Sequence, residues 1–198
     1  MKKTPKPKFF INRSSRILLE ASIIANIAIG LLGPVYAVFV ENIGGSLLDA
    51  GIAYAIFNIL TGILIITLGS TKFFSKNTRP LIVIGYFLFA LGNIGYIFIR
   101  TPIHLFIVQI ILGLAIGILE PAWDSVYSAK LNEQQGYKRW SLWSGSTYLA
   151  VCIAAIIGGF IAFKLSFQIL FIIMAIMGVI SAIISVAILG KREKKRGK

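Results

Sequence analysis

One cysteine, one histidine and seven acidic residues are all that 198 positions supply of the side chains from which disulfides, metal sites and acid–base machinery are built. The lone Cys152 excludes an intrachain disulfide, and its place inside an apolar run reads as a small apolar filler. The lone His104 has no ligand cluster around it in the sequence and is a poor candidate for a metal site. No phosphate-cradling glycine pattern and no nucleophile–base constellation occurs, so an enzyme is not expected and no cofactor is called for. Charge is scarce too. Only 14% of residues are Asp, Glu, Lys or Arg and 57% are hydrophobic, against about 25% charged in soluble domains. A water-soluble fold of this size could not hide so much apolar side chain.

What is present is long apolar runs. They fall near residues 17–40, 47–70, 80–99, 103–129, 142–163 and 167–190. Each reaches the roughly 20 residues that cross about 30 Å of hydrocarbon as a helix. The fold class is therefore all-α: a polytopic membrane protein of six transmembrane helices. The first run does not read as a cleaved secretory signal. It is long, it lacks a clean small-residue cleavage site, and five more spans follow.

The formal charge of +13 invites a nucleic-acid reading, but its distribution points elsewhere. Eighteen of the twenty basic residues fall before span one, between spans two and three, between spans four and five, or after span six; only Arg100 and Lys164 fall on the other side. By the positive-inside rule both ends are expected in the cytoplasm. The basic ends are expected to touch anionic lipid headgroups rather than nucleic acid. The expected location is the cytoplasmic (inner) membrane of a prokaryote.

The chain divides into a basic arm (1–16), a six-helix domain (17–190) and a basic tail (191–198). Pro5 and Pro7 keep the arm's start out of helix, and Asn12 or Ser14 is placed to cap a helix beginning near Ser15. Span one is broken by Gly30, Gly33 and Pro34. Gly44 and Gly45 turn the first external loop, Glu41 to Asp49. The turn Arg100-Thr-Pro-Ile-His104 is so short that spans three and four must be antiparallel neighbours. Gly113 and Gly117 form a small-xxx-small pair suited to close helix contact. Lys130 to Arg139 reads as the longest interior loop, with Trp140 and Trp143 marking the membrane interface after it. Span six offers little chemistry and reads as scaffold or lipid-facing wall.

Polar groups within the spans are the functional candidates, because acidic groups there are costly and normally face a bundle interior or water. Glu20 lies in the first turns of span one, with Asn26 deeper. Asn58 lies mid-span two and Gln109 in the outer half of span four. Glu120 and Asp124 lie one turn apart on one face of span four. Two readings of that pair stay open: a protonation or cation-binding spot, or structural pairing with basic groups such as Lys72, Lys130 or Arg139. Pro121 between them frees a backbone carbonyl and fits either. Asn26, Asn58 and Gln109 are placed to bond between helices or to meet a solute. Tyr36, Tyr54 and Tyr148 are suited to line a cavity or to sit at the interface.

Six spans, a first helix broken by glycine and proline, and a basic turn between helices two and three resemble the N-terminal six-helix half of a major facilitator superfamily transporter. The nearest local match is Gln109-Ile-Ile-Leu-Gly113-Leu-Ala-Ile-Gly117-Ile-Leu-Glu-Pro121-Ala122, followed by helix five at Trp140-Ser-Leu-Trp-Ser-Gly145. The turn Gly69-Ser-Thr-Lys-Phe-Phe-Ser-Lys-Asn-Thr-Arg79-Pro80 keeps the family's first glycine and basic character but lacks its acidic residue and second glycine. Gln109 stands where proton-driven drug exporters of the family often carry arginine. The resemblance implies alternating access against a second six-helix half or a second copy, with an unidentified small solute in a cavity between them. It makes Asn26, Tyr36, Asn58, Gln109 and Tyr148 the cavity candidates, and Glu120 and Asp124 the coupling or gate candidates. The alternatives are a non-transporting accessory or assembly protein, or an inactive transporter fragment. A transporter predicts that the amides of Asn26, Asn58 and Gln109 converge; a scaffold predicts that each is buried singly.

Overall fold

The structure, a computed structural model, describes residues 12–129 and 133–190. The arm before Asn12, Lys130 and the tail 191–198 lie outside the described residues. Within them the chain is helical and contains no strand.

Helix α1 (Arg13–Leu32) starts where a side-chain oxygen is available to cap it: the Asn12 amide oxygen accepts from the Ser15 backbone N–H at 2.7 Å. It passes through one 3-10 turn at Gly33–Val35 into α2 (Tyr36–Asn42). Pro34 has no N–H to donate, so the α ladder cannot run through it. Gly44, with φ 79°, makes the turn that follows. Helix α3 (Leu47–Gly69) opens with a capping box in which Ser46 and Asp49 satisfy each other's backbone N–H groups. The short α4 (Lys72–Lys76) leads to α5 (Thr78–Gly95), extended by a 3-10 turn at Tyr96–Phe98. Helix α6 (Pro102–Ser128) carries Pro121 inside it. Helices α7 (Glu133–Lys164) and α8 (Phe167–Val186) complete the bundle.

Six of these segments are long and apolar enough to cross a membrane, with α1 and α2 counting as one. The chain is an integral membrane protein. The interior loop expected at 130–139 is a correction: α7 begins at Glu133, so most of that segment is its first two turns. Gln134, Gln135, Lys138 and Arg139 are good helix formers, and a hydropathy reading registers only that they are polar.

The packing repeats. Helix α6 lies along α5 and α3, just as α1 lies along α8 and α7, and α5 packs against α8. Exchanging α1 with α6, α3 with α7 and α5 with α8 maps these neighbours onto themselves. The first three spans and the last three form two three-helix units with the same pattern of neighbours. Because each unit has an odd number of spans, corresponding helices of the two units run in opposite senses.

Glycines set the closest approaches. A Cβ at Gly117 would lie 2.6 Å from the Leu64 Cβ, so the Gly113/Gly117 face is the seat of α3 on α6. In the other unit the backbone at Gly158 of α7 lies directly on the backbone of Leu31 in α1. Such small-residue crossings let dispersion act between backbones where lipid removes any hydrophobic drive.

One end of the bundle is tied by arginines. Arg79 Nη1 donates to the carbonyls of Ile188 and Gly190, both at 3.3 Å, and Nη2 reaches Ser14 Oγ at 3.5 Å. Arg139 is buried and donates to Ser15 Oγ at 3.2 Å, while the Tyr127 hydroxyl donates to the Arg139 carbonyl at 2.7 Å. Trp123, Tyr127, Trp140 and Trp143 pack together beside it, with centroids 4.4–6.1 Å apart. Phe39, Tyr96, Phe167 and Phe171 form a second aromatic cluster toward the opposite end.

Candidate functional site

Between the two units lies a cavity of about 240 Å³. Its walls follow from helical spacing. On α6, Gln109, Leu112 and Ile116 recur at the three- and four-residue steps that keep side chains on one face. On α5 and its 3-10 extension, Phe89, Asn93 and Tyr96 do the same. The break in α1 matters here: Ile29 and Leu32 come from one side of it, Gly33 from within it, and Tyr36 from the helix that restarts after it. Helix α3 adds Tyr54 and Phe57, and α8 adds Met174.

The polar centre is a three-residue cluster. Gln109 is buried, and its Nε2 donates to the Tyr36 hydroxyl at 3.0 Å and to the Tyr96 hydroxyl at 3.1 Å. Tyr96 is held in place by stacking on Phe171, with centroids 5.3 Å apart. Asn93, also buried, donates Nδ2 to its own helix at the Phe89 carbonyl, 2.8 Å away. None of the lining residues carries a formal charge.

The residues singled out from sequence divide clearly. Tyr36, Tyr54 and Gln109 line the cavity, and Tyr36 and Gln109 bond to each other. Asn26, half-buried, donates to the Ser22 carbonyl at 2.7 Å in its own helix. Asn58 is exposed and donates to the Tyr54 carbonyl at 2.7 Å, again within its helix. Tyr148 stands 78% exposed on α7. These three are not among the lining residues. Glu120 and Asp124 are exposed, and neither forms an ion pair with Lys72 or another described residue.

Sequence reasoning passed over Asn93, Tyr96 and Met174. Asn93 carried a usable signal, an amide deep in span three with Tyr96 three residues on. Met174 carried none, and α8, expected to be bare wall, contributes to the cavity through it.

Two inverted three-helix units around a cavity, beside a first span whose helix is broken at Gly33–Val35, make this an integral membrane protein with the architecture of secondary transporters. The sequence agrees: residues 18–198 match the Major Facilitator Superfamily, and the chain belongs to that family. It is 24% identical over 151 residues to the proton-coupled antiporter flippase LtaA of Staphylococcus haemolyticus. That match takes in 74% of this chain and 37% of the relative, so the matched segment covers little more than a third of the relative's length.

Proposed function

We propose that this chain is one six-helix half, the N-terminal one, of a secondary transporter that moves a small solute by alternating access against a second six-helix half. The observation that carries the reading is the bare flank of the bundle. Only 11% of the most apolar stretch of α3 and 17% of that of α7 is buried, against 39–44% in the other four spans. Tyr54, from the uncovered α3, is a cavity wall and yet 65% exposed. A second half seated on α3 and α7 would close the cavity that this chain leaves open. The share of the relative's length that the matched segment covers agrees with a missing half.

In this reading both described ends of the bundle face the cytoplasm, where Arg13, Arg79 and Arg139 gather. Tyr36 and Gln109 meet the solute. Asn58 and Tyr148, exposed on α3 and α7, contribute once a partner covers them, and Asn26 supports α1. Glu120 and Asp124, one turn apart and outside any described ion pair, are the candidate coupling or inner-gate carboxylates. The relative's name makes proton-coupled antiport and flippase activity the first to assay.

The alternative is a non-transporting accessory protein, which the self-contained bonding of Asn26 and Asn58 also suits. The native complex, purified from source cells in mild detergent and weighed, separates the two. A second six-helix chain or a second copy in the complex, together with solute movement in vesicles, is expected. A clean monomer that moves nothing overturns the transporter reading.

A further inference from the structure

The cavity's hydrogen-bonding inventory narrows what it can hold. The Gln109 amide has two N–H hydrogens and the Tyr36 and Tyr96 hydroxyls one each, four in all. The cluster makes two internal bonds, at 3.0 and 3.1 Å. Turning the amide about its last bond exchanges its N and O, but the count does not change. Two hydrogens remain unbonded within the cluster, and in the described orientation the Gln109 carbonyl oxygen also keeps its lone pairs; Asn93 and the Tyr54 hydroxyl are the other polar groups on a wall otherwise lined by apolar and aromatic side chains. A buried donor left unpaired costs roughly 1–3 kcal/mol, so an occupant supplying oxygen acceptors is favoured there.

An ionised occupant is disfavoured by the same wall. An unpaired charge in such a setting is expensive to desolvate, and no lining residue offers a countercharge. Glu120 and Asp124 are not lining residues, and the nearer one lies one helical turn beyond Ile116, away from the polar cluster. Glu120 is eleven residues from Gln109 along one helix, about 16 Å at the α-helical rise.

From this geometry we infer that the cavity wall of this chain binds an uncharged, largely apolar group bearing a carbonyl or ether oxygen, which accepts from the Gln109–Tyr36–Tyr96 cluster. The inference rests on the transporter reading for its purpose but not for its test. Phe89 and Phe57 supply aromatic contacts, and Ile29, Leu112 and Met174 supply aliphatic ones.

The test is photolabelling of the full chain in lipid nanodiscs. The probe is benzophenone, a neutral aryl ketone that on irradiation inserts into nearby C–H bonds. Its charged relatives, 4-benzoylbenzoate and a 4-benzoylbenzyl trimethylammonium salt, are run in parallel. Saturable benzophenone adducts on Met174, Leu112 or Ile29 are expected, with little labelling there by either ion. Tyr36→Phe and Tyr96→Phe, which keep the rings, should each weaken saturation about five-fold, as expected for one lost neutral hydrogen bond.

Saturable labelling of the cavity by either ion in place of benzophenone overturns the uncharged class and leaves the transporter reading standing. Unsaturable labelling spread over lipid-facing positions, with none in the cavity, overturns the site itself. Unchanged saturation in both phenylalanine variants overturns the role of the cluster. Solute movement in vesicles by the native complex is measured separately, so the transporter reading stands or falls on its own result.

Discussion

Helices α3 and α7 are as apolar as α5, yet they occupy opposite situations in the bundle. Helices α5 and α8 each pack along two long neighbours, and 44% of the most apolar stretch of each is buried. Helices α3 and α7 each have one, α6 for the former and α1 for the latter. Hydropathy cannot separate the two pairs, because lipid and protein neighbours are equally apolar. What separates them is the line of small residues along which a backbone can approach. Helix α3 meets Gly113 and Gly117, and α7 lays its own Gly158 on α1. On their remaining faces α3 and α7 present large side chains such as Ile66, Tyr148 and Ile156, each more than 70% exposed.

The contrast is broken most sharply at adjacent glycines of α7. A side chain at Gly158 would collide with the Leu31 backbone, whereas nothing lies within 4 Å of a Cβ at Gly159. Gly158→Val is expected to cost about 3 kcal/mol through overpacking, and Gly159→Val under about 0.5 kcal/mol in the isolated chain. Thermal unfolding in detergent of the two variants measures the difference, and equal losses would mean that α7 does not seat on α1 as described.

A smaller effect is expected at the arginine-tied end, which fastens the well-packed α8. Arg79→Gln removes the cationic bonds to the carbonyls of Ile188 and Gly190. A loss of about 2 kcal/mol is expected, with faster amide exchange confined to the last turn of α8. Exchange spreading evenly over the bundle would show a different role.

The bare face of α7 gives a conditional outcome. Tyr148→Ala and Ile153→Ala alter side chains 78% and 60% exposed. In the lone chain each should change stability by less than about 0.5 kcal/mol. If the second half seats there, at least one should weaken the native complex by more than about 1 kcal/mol. Identical behaviour with and without the partner would remove α7 from the interface. The smallest structural effect is expected for Glu120→Gln, since the carboxylate has no described ion pair. Stability should move by under about 0.5 kcal/mol while solute coupling is lost. Lower stability with intact transport would exclude the coupling role.

Much of this was legible in the sequence. The six spans, the break at Gly33 and Pro34, and the gathering of basic residues at one end follow from composition and order. Each depends on the cost of exposing an unpaired backbone group or a charge to hydrocarbon, and that cost is paid residue by residue. The start of α7 was misread because Glu133 to Arg139 is polar and still helical: outside the hydrocarbon, polarity no longer separates helix from loop. Of the site, Gln109 was legible as a polar group at depth, and Tyr36 and Tyr54 as side chains suited to line a cavity. Asn26 and Asn58 looked equivalent to Gln109, but an asparagine can satisfy its amide N–H on the carbonyl four residues back, and both do.

The sequence by itself determined that six segments of this chain are long and apolar enough to cross a membrane, because that follows from local transfer energies. Only the tertiary structure decided that Tyr96, 13 residues before Gln109, shares its amide with Tyr36, 73 residues before it. It alone decided that Met174 completes the wall and that α3 and α7 stand open. Which face of a membrane helix meets protein depends on how closely two backbones can approach, and that is a property of pairs of helices.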